Sequence, residues 1–300
     1  MKYILTIIAL CANLAYGQYS LGLNLEKDHT YFLNINTILQ ANGEMNGQKV
    51  QMTSNMTAFA RFKVVKTSDQ EYELEVSYDS VHMATKSPMG QMEFSSNKMS
   101  ENNDMGSGGM TNKHFTVVLL KNGAVRKIEN HDTAGFSSML KNFPMLEGIK
   151  QMLRMGRGNH SFNREEMKKN LEKLTSVFPN KKVNLNDTWG ETIMPDSGTD
   201  NQIKTNYQLV DYSSGIATIK GHSESKLSSK QNQGNRFPAM IDLQGKSESN
   251  VKVDATTGWI KEGEIKQELN GQIKLKTNAG SEEGKASPIQ IIAIVKISGR

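Results

Sequence analysis

The side chains able to do chemistry are scattered along this sequence rather than grouped. Six histidines stand at His29, His82, His114, His131, His160 and His222. No two have the i, i+4 spacing that puts two imidazoles on one helix face, so no metal site is expected. His131-Asp132 and the many serines hold the ingredients of an acyl-transfer triad. The G-x-S-x-G elbow is absent, however, and Ser107-Gly108-Gly109 falls in a stretch too poor in apolar residues to hold a nucleophile in place. Glu165-Glu166 and Glu282-Glu283 are adjacent carboxylates, which diverge on a helix or a strand and cannot act as a pair. No Gly-rich phosphate loop follows a strand pattern, and no calcium-loop spacing is present. The expectation is a chain with no catalytic residues and no cofactor.

Methionine is the unusual usage, with 17 in all. Met83, Met89, Met92, Met99, Met105 and Met110 surround a Ser/Asn/Gly-rich segment at residues 95–112. One reading is a thioether site for Cu(I), with Met89-x-x-Met92 as its centre and His114 close in sequence. The other, which we adopt, is an adaptable apolar lip. The segment itself reads as a loop, because its composition buries little.

The start of the chain reads as an address. Met1-Lys2 is positive, and residues 3–14 are apolar but for Thr6 and Asn13. Ala15 and Gly17 are the small residues a signal peptidase reads. The run is far short of the ~20 residues a membrane helix needs. Residues 1–17 are therefore expected to be a signal peptide, and the mature protein to be secreted across the inner membrane, periplasmic or extracellular. The single cysteine, Cys11, lies inside that leader, so the mature chain has no disulfide and no thiol chemistry. Leu10 before Cys11 does not fit a lipidation site. A mature chain of about 280 residues can bury enough apolar surface without staples. The net charge of +5 is spread thinly and suits solubility. No dense Lys/Arg cluster interleaved with aromatics is present, so nucleic acid is not an expected partner. No later segment is apolar enough to span a membrane.

The elements that must position any site follow from periodicity. Leu21, Leu23 and Leu25, then Tyr31, Leu33 and Ile35, alternate with polar residues around a turn at residues 26–29. Asn42-Gly43 and Asn46-Gly47 mark a reversal, and a further strand is expected over 50–65. Residues 72–78 give the cleanest alternation. Lys121-Asn122-Gly123 joins a strand at 115–120 to one at 125–128. Residues 139–178 have helical spacing, broken at Pro144 and at Gly156-Arg157-Gly158, and Met167, Leu171, Leu174 and Phe178 form one stripe. Strands are expected again at 188–194, 203–210, 215–222, 240–253, 259–275 and 288–297, with a polar loop at 223–234. The last strand is apolar on both faces (Ile289, Ile291, Val295 and Ile297 against Ile292 and Ile294), which suggests a central position, or coverage by the helices. The fold class expected is α+β: a large curved antiparallel β-sheet or open barrel with two or three helices in a central block. Residues 18–300 form one domain, or two β lobes (18–130 and 183–300) bridged by helices over 131–180.

Two segments carry a resemblance. One runs from Phe178 through Lys181-Lys182 and Asn186-Asp187 to Trp189; the other is Asp254-Ala255-Thr256-Thr257-Gly258-Trp259-Ile260. With the opening Leu-x-Leu-x-Leu and Tyr-x-Leu pattern, they resemble a family of secreted Gram-negative bacterial proteins with a domain of unknown function, over roughly residues 20–298. That family brings no assigned activity and no catalytic residues. Both motifs read as fold determinants: a turn that leads Trp189 into a strand, and a turn in which Gly258 takes a positive φ. At the level of fold the layout resembles half-barrel carriers of the lipoprotein-localisation class, whose helices cover an apolar cavity. The functional expectation is a non-catalytic envelope protein that binds an apolar molecule or an envelope partner. Leu140, Phe143, Leu146, Ile149, Met152 and Leu153 are its candidate lining. The alternative is a structural or protein-interaction module without a small ligand, and a hydrolase stands third. The oligomeric state is not legible.

Overall fold

The computed structural model describes residues 18–45, 48–88, 90–96, 114–129, 168, 171–172, 174–193, 202–229, 239–275 and 286–300. Among them are twelve strands: β1 (Thr30–Met45), β2 (Gln48–Thr67), β3 (Glu71–Ser87), β4 (Gly90–Ser95), β5 (His114–Leu120), β6 (Val125–Glu129), β7 (Thr188–Ile193), β8 (Gln202–Ser213), β9 (Ile216–Ser229), β10 (Ala239–Asp254), β11 (Ile260–Leu275) and β12 (Ala286–Gly299). They make one open sheet in the order β6-β5-β3-β2-β1-β12-β11-β10-β9-β8-β7, with β4 paired to β3 off this path. Every pairing is antiparallel. The chain meanders outward from β1 to β6, and later inward from β7 to β12. The first and last strands then zip the two meanders together, from Leu33 opposite Gly299 to Gly43 opposite Ile289.

That topology explains the doubly apolar last strand. β12 lies at the middle of the sheet, between β1 and β11. One of its faces carries Ile291 and Ile297 into the core. Its other face sets Ile294 opposite Ile38 of β1, on the surface that also exposes Phe59 of β2.

The sheet is strongly curled. Laid flat, edge strands ten spacings apart would be separated by about 48 Å. Yet residues 172–177, which extend to at most about 20 Å, touch both edges. Glu172 accepts a hydrogen bond from the Val125 N–H of β6 at 3.1 Å, and the Val177 carbonyl accepts one from Trp189 Nε1 of β7 at 3.2 Å. A main core forms inside this curl. It joins Phe62, Leu74, Val117 and Ile128 from one half of the sheet to Leu209, Ile219, Val253 and Trp259 from the other.

The predicted hairpins and turns are present. Gly123 (φ 86°) turns β5 into β6, and Gly258 (φ 70°) turns β10 into β11. Asn186 (φ 70°) precedes the strand that carries Trp189.

Several expectations change. The central helical block expected over 131–180 lies for the most part outside the described residues, so the architecture described is the sheet. Of residues 131–180, the described helical positions are Lys168, Leu171, Glu172, Leu174 and Thr175, and Phe178 lies past them in extended chain. The polar loop expected at 223–234 is strand as far as Ser229. Ser, Glu and Lys alternate there with Leu227 as the one large apolar residue, and pairing to β8 on one side and β10 on the other makes the strand. Asn42-Gly43 lies inside β1 and is not the reversal, because Met45 pairs with Gln48 across residues 46–47. Leu21, Leu23 and Leu25 are buried as their alternation implied, but in irregular chain outside the sheet. The expected signal peptide and residues 97–113 lie outside the described residues.

Candidate functional site

The face of the sheet that carries the core is divided into tiers by register. Directly opposed residues in antiparallel strands share a face, so each row across the sheet can be read from its pairings. The lowest tier is the main core, plugged from outside the sheet by two segments. The N-terminal plug inserts Leu21, Leu23 and Leu25. It is tied down by Leu23 N–H to the Lys121 carbonyl (2.7 Å), Asn24 N–H to the Thr257 carbonyl (2.8 Å) and the Tyr72 hydroxyl to the Leu23 carbonyl (3.0 Å). The second plug, residues 171–183, inserts Leu171, Leu174, Val177, Phe178 and Val183. Thr175 Oγ1 donates to the Gly123 carbonyl at 2.6 Å. The plugs meet where Tyr19 pairs with Val183.

Above the core runs a polar band on the β7–β11 half. Glu191, Thr205, Ser223, Ser247 and Gln267 oppose one another in one continuous row. Ser249 and Ser225 flank the row on the same face. Thr205 and Ser223 share a hydroxyl hydrogen bond at 2.8 Å. Ser225 is 5% exposed, and its Oγ has no hydrogen-bond partner among the described residues. Burial, and then the Glu172 charge, raise the Glu191 carboxyl above its ordinary value. Tyr207, beside Glu191 in the next row, is pushed up to about 12 by burial and by that carboxylate, against a hydrogen bond with Thr205. Gly221 gives the Tyr207 ring and the Ser249 hydroxyl their room, since a Cβ there would lie 2.3 Å from Ser249 Oγ and 3.0 Å from the ring.

Beyond the band lies a second apolar cluster. Ala41, Leu243, Leu269 and Ile291 form its buried part, with Leu39, Met52, Leu227, Ile273 and Ile289 packed against them. All nine are sheet residues, from β1, β2 and β9–β12. Among the described residues no plug side chain belongs to this cluster, in contrast to the main core.

The opposite face is charged. Lys252 pairs with Glu262 and Lys266 with Glu264, and Glu268 accepts hydrogen bonds from Asn270 and Gln290. Arg61 pairs with Asp79 on the other half.

The six candidate lining residues, Leu140, Phe143, Leu146, Ile149, Met152 and Leu153, lie outside the described residues. The second cluster was not singled out from the sequence because its members alternate mostly with polar residues in strands that look like ordinary amphipathic sheet. Met89 of the copper reading is also outside the described residues. Met92 sits opposite Thr85 and His114 opposite Ser77, eight residues apart along β3, or about 26 Å. The sheet therefore does not bring that histidine to that methionine. Among the described residues no group of three or more His, Cys, Asp or Glu side chains could hold a metal ion. None of their helices is long and apolar enough to cross a membrane. Both tryptophans anchor the core as expected. Trp259 is 3% exposed, donates from Nε1 to the Phe32 carbonyl at 3.2 Å and packs on Tyr31 and Phe62.

Among solved structures, the chain is similar to one titled "Lipid-protein interactions in lipovitellin", at 8% identity and a TM-score of 0.45, over 92% of this chain and 25% of that one. It thus spans about a quarter of that protein's length. It is also similar to an outer membrane channel from Pseudomonas putida F1, with 8% identity, a TM-score of 0.26, and 93% of this chain and 97% of that chain covered. A third is the translocator domain of the autotransporter NalP from Neisseria meningitidis, with 7% identity, a TM-score of 0.19, and coverage of 91% and 90%. Likenesses with such low scores carry no argument about function. The sequence matches no curated protein. Residues 69–260, well over half of the chain and including both tryptophan turns, match the family of unknown function DUF6263, and the chain belongs to that family.

Proposed function

We propose that this is a non-catalytic protein of the bacterial envelope, secreted to the periplasm or beyond, whose core face holds an apolar ligand or an apolar part of an envelope partner. The observation that carries the reading is the second apolar cluster. It is an apolar patch across six strands, set apart from the plugged core by a polar band, and composed among the described residues of sheet side chains. Its central members, Ala41, Leu243, Leu269 and Ile291, are buried, and an apolar lining with a few polar groups beside it is the composition of ligand pockets.

The charged face argues against a membrane-spanning barrel. Such barrels turn an apolar band about 25 Å tall toward lipid. Here the corresponding surface carries Lys252, Glu262, Glu264, Lys266 and Lys296 on three adjacent strands. The polar band is compatible with a ligand that has a polar end.

Native mass spectrometry of the protein purified from its own envelope, with organic extraction, tests the reading. A reproducible lipid-like adduct is expected, and Leu243→Asp should abolish it. A clean unliganded mass with no uptake of acyl probes refutes ligand binding and turns the search to protein partners.

A further inference from the structure

At the far end of the sheet from the second cluster, a pocket of about 140 Å³ opens beside the Asp254–Trp259 turn. Its wall is aromatic: Tyr31 and Trp259 are both buried, with ring centroids 4.8 Å apart. Around that wall stand charges of both signs. Glu26 and Asp254 are on the rim, with Lys261, Arg300 and His29.

The charges are not equally available. Asp254 Oδ1 already accepts from Thr256 N–H (3.0 Å), Thr257 N–H (2.9 Å) and the Thr257 hydroxyl (3.1 Å). Burial alone would raise its pKa, but these bonds and the Lys261 charge outweigh burial and hold the carboxyl below its ordinary value. This carboxylate is used by the turn. Glu26, Lys261 and Arg300 have no hydrogen bond or ion pair from their side chains among the described residues, and Arg300 only rests its guanidinium on the Phe32 ring at 4.9 Å. Glu26 is close enough to the Tyr31 hydroxyl to add to the rise of its pKa behind burial. The pocket thus offers the Glu26 carboxylate and the Lys261 and Arg300 cations against an apolar wall, with Lys261 also in the field of Asp254.

We propose that this pocket binds a small zwitterion of the α-amino acid class, its carboxylate taken by Lys261 and Arg300, its ammonium by Glu26, and its aliphatic part lying on Trp259. A zwitterion meets both signs, whereas a simple anion leaves Glu26 unmet and a simple cation leaves Lys261 and Arg300 unmet. An apolar cavity of about 150 Å³ takes benzene, so this one has room for about six non-hydrogen atoms, the number in alanine. The pocket is independent of the apolar cluster at the other end of the sheet.

The test is a titration of the purified protein with L-alanine, and separately with propionate and ethylamine as half-ligands. The two indole N–H resonances are followed by heteronuclear NMR. Trp259 should shift saturably at millimolar alanine, as expected for about 4 kcal/mol of binding, while Trp189 stays still as an internal control. Propionate and ethylamine should each bind about tenfold more weakly, because each leaves a charged group unmet. Glu26→Gln should weaken alanine and erase its advantage over propionate; Lys261→Met should do the same relative to ethylamine. Both positions are solvent-accessible, so the variants keep the fold, and unchanged Trp189 resonances check this. No saturable Trp259 shift up to the solubility limit of alanine, or propionate binding as tightly as alanine, overturns the proposal.

Discussion

Two glycines with nearly the same backbone allow one contact to be isolated. Gly258 has φ 70° and Gly215 has φ 75°. Alanine at either position must sit in the left-handed region, at about 1–2 kcal/mol, partly offset by about 0.4–1 kcal/mol because the unfolded chain also loses freedom. Gly215→Ala should therefore cost about 1 kcal/mol, since nothing lies within 4 Å of its new Cβ. At Gly258 the Cβ would meet the Gly22 carbonyl oxygen at 2.2 Å and Leu23 Cα at 3.1 Å. Those atoms are backbone of the N-terminal plug and cannot rotate away. The plug must shift, which loosens Leu21, Leu23 and Leu25, each worth about 1.5–3 kcal/mol when fully buried. Losing part of that burial brings the expected total to about 3–5 kcal/mol. Urea midpoints of the two variants measure the difference. Limited proteolysis of residues 18–29, faster in Gly258→Ala alone, identifies the plug as the part released. Equal midpoints with equal protection of that segment would refute the argument that the turn and the plug are one packing unit.

Three further expectations rest on single contacts. Glu191→Gln should raise stability at neutral pH and change it little in acid. The raised carboxyl means the folded state holds the proton more tightly, so stability falls as pH rises from the ordinary glutamate value of 4.5 through the raised one, and stays lower above it. Thermal melts at acidic and neutral pH compare the two. Thr175→Val removes a buried hydroxyl that donates to the Gly123 carbonyl at 2.6 Å, and chemical denaturation should show a loss of about 1–2 kcal/mol. Trp259→Phe leaves the Phe32 carbonyl without its indole donor and opens space against Tyr31 and Phe62, so a loss of about 2–4 kcal/mol is expected by the same measurement.

The local elements were legible because their signals are local. The Gly123 and Gly258 turns, the Asn186 turn and all six C-terminal strands follow from a few neighbouring residues whose φ preference or period-2 pattern acts over short range. The central place of β12 was legible too, from the isoleucine run on both of its faces, although Ile292 and Ile294 lie half-buried on the outer face of the sheet. β9 beyond His222 was not: an alternation of Ser, Glu and Lys has no intrinsic reason to be strand, and its pairing to β8 and β10 decides the matter.

The amino-acid sequence by itself determined the antiparallel strands, their turns and the buried leucines of the N-terminal segment, since alternation and turn chemistry are properties of short stretches. Tertiary structure alone decided that β1 and β12 join, that residues 171–183 close the gap between the sheet's edges, and that Leu39, Leu243, Leu269 and Ile291 form one apolar patch. Register between strands hundreds of residues apart brings those four side chains together, and register is fixed by the whole sheet at once rather than by any segment of it.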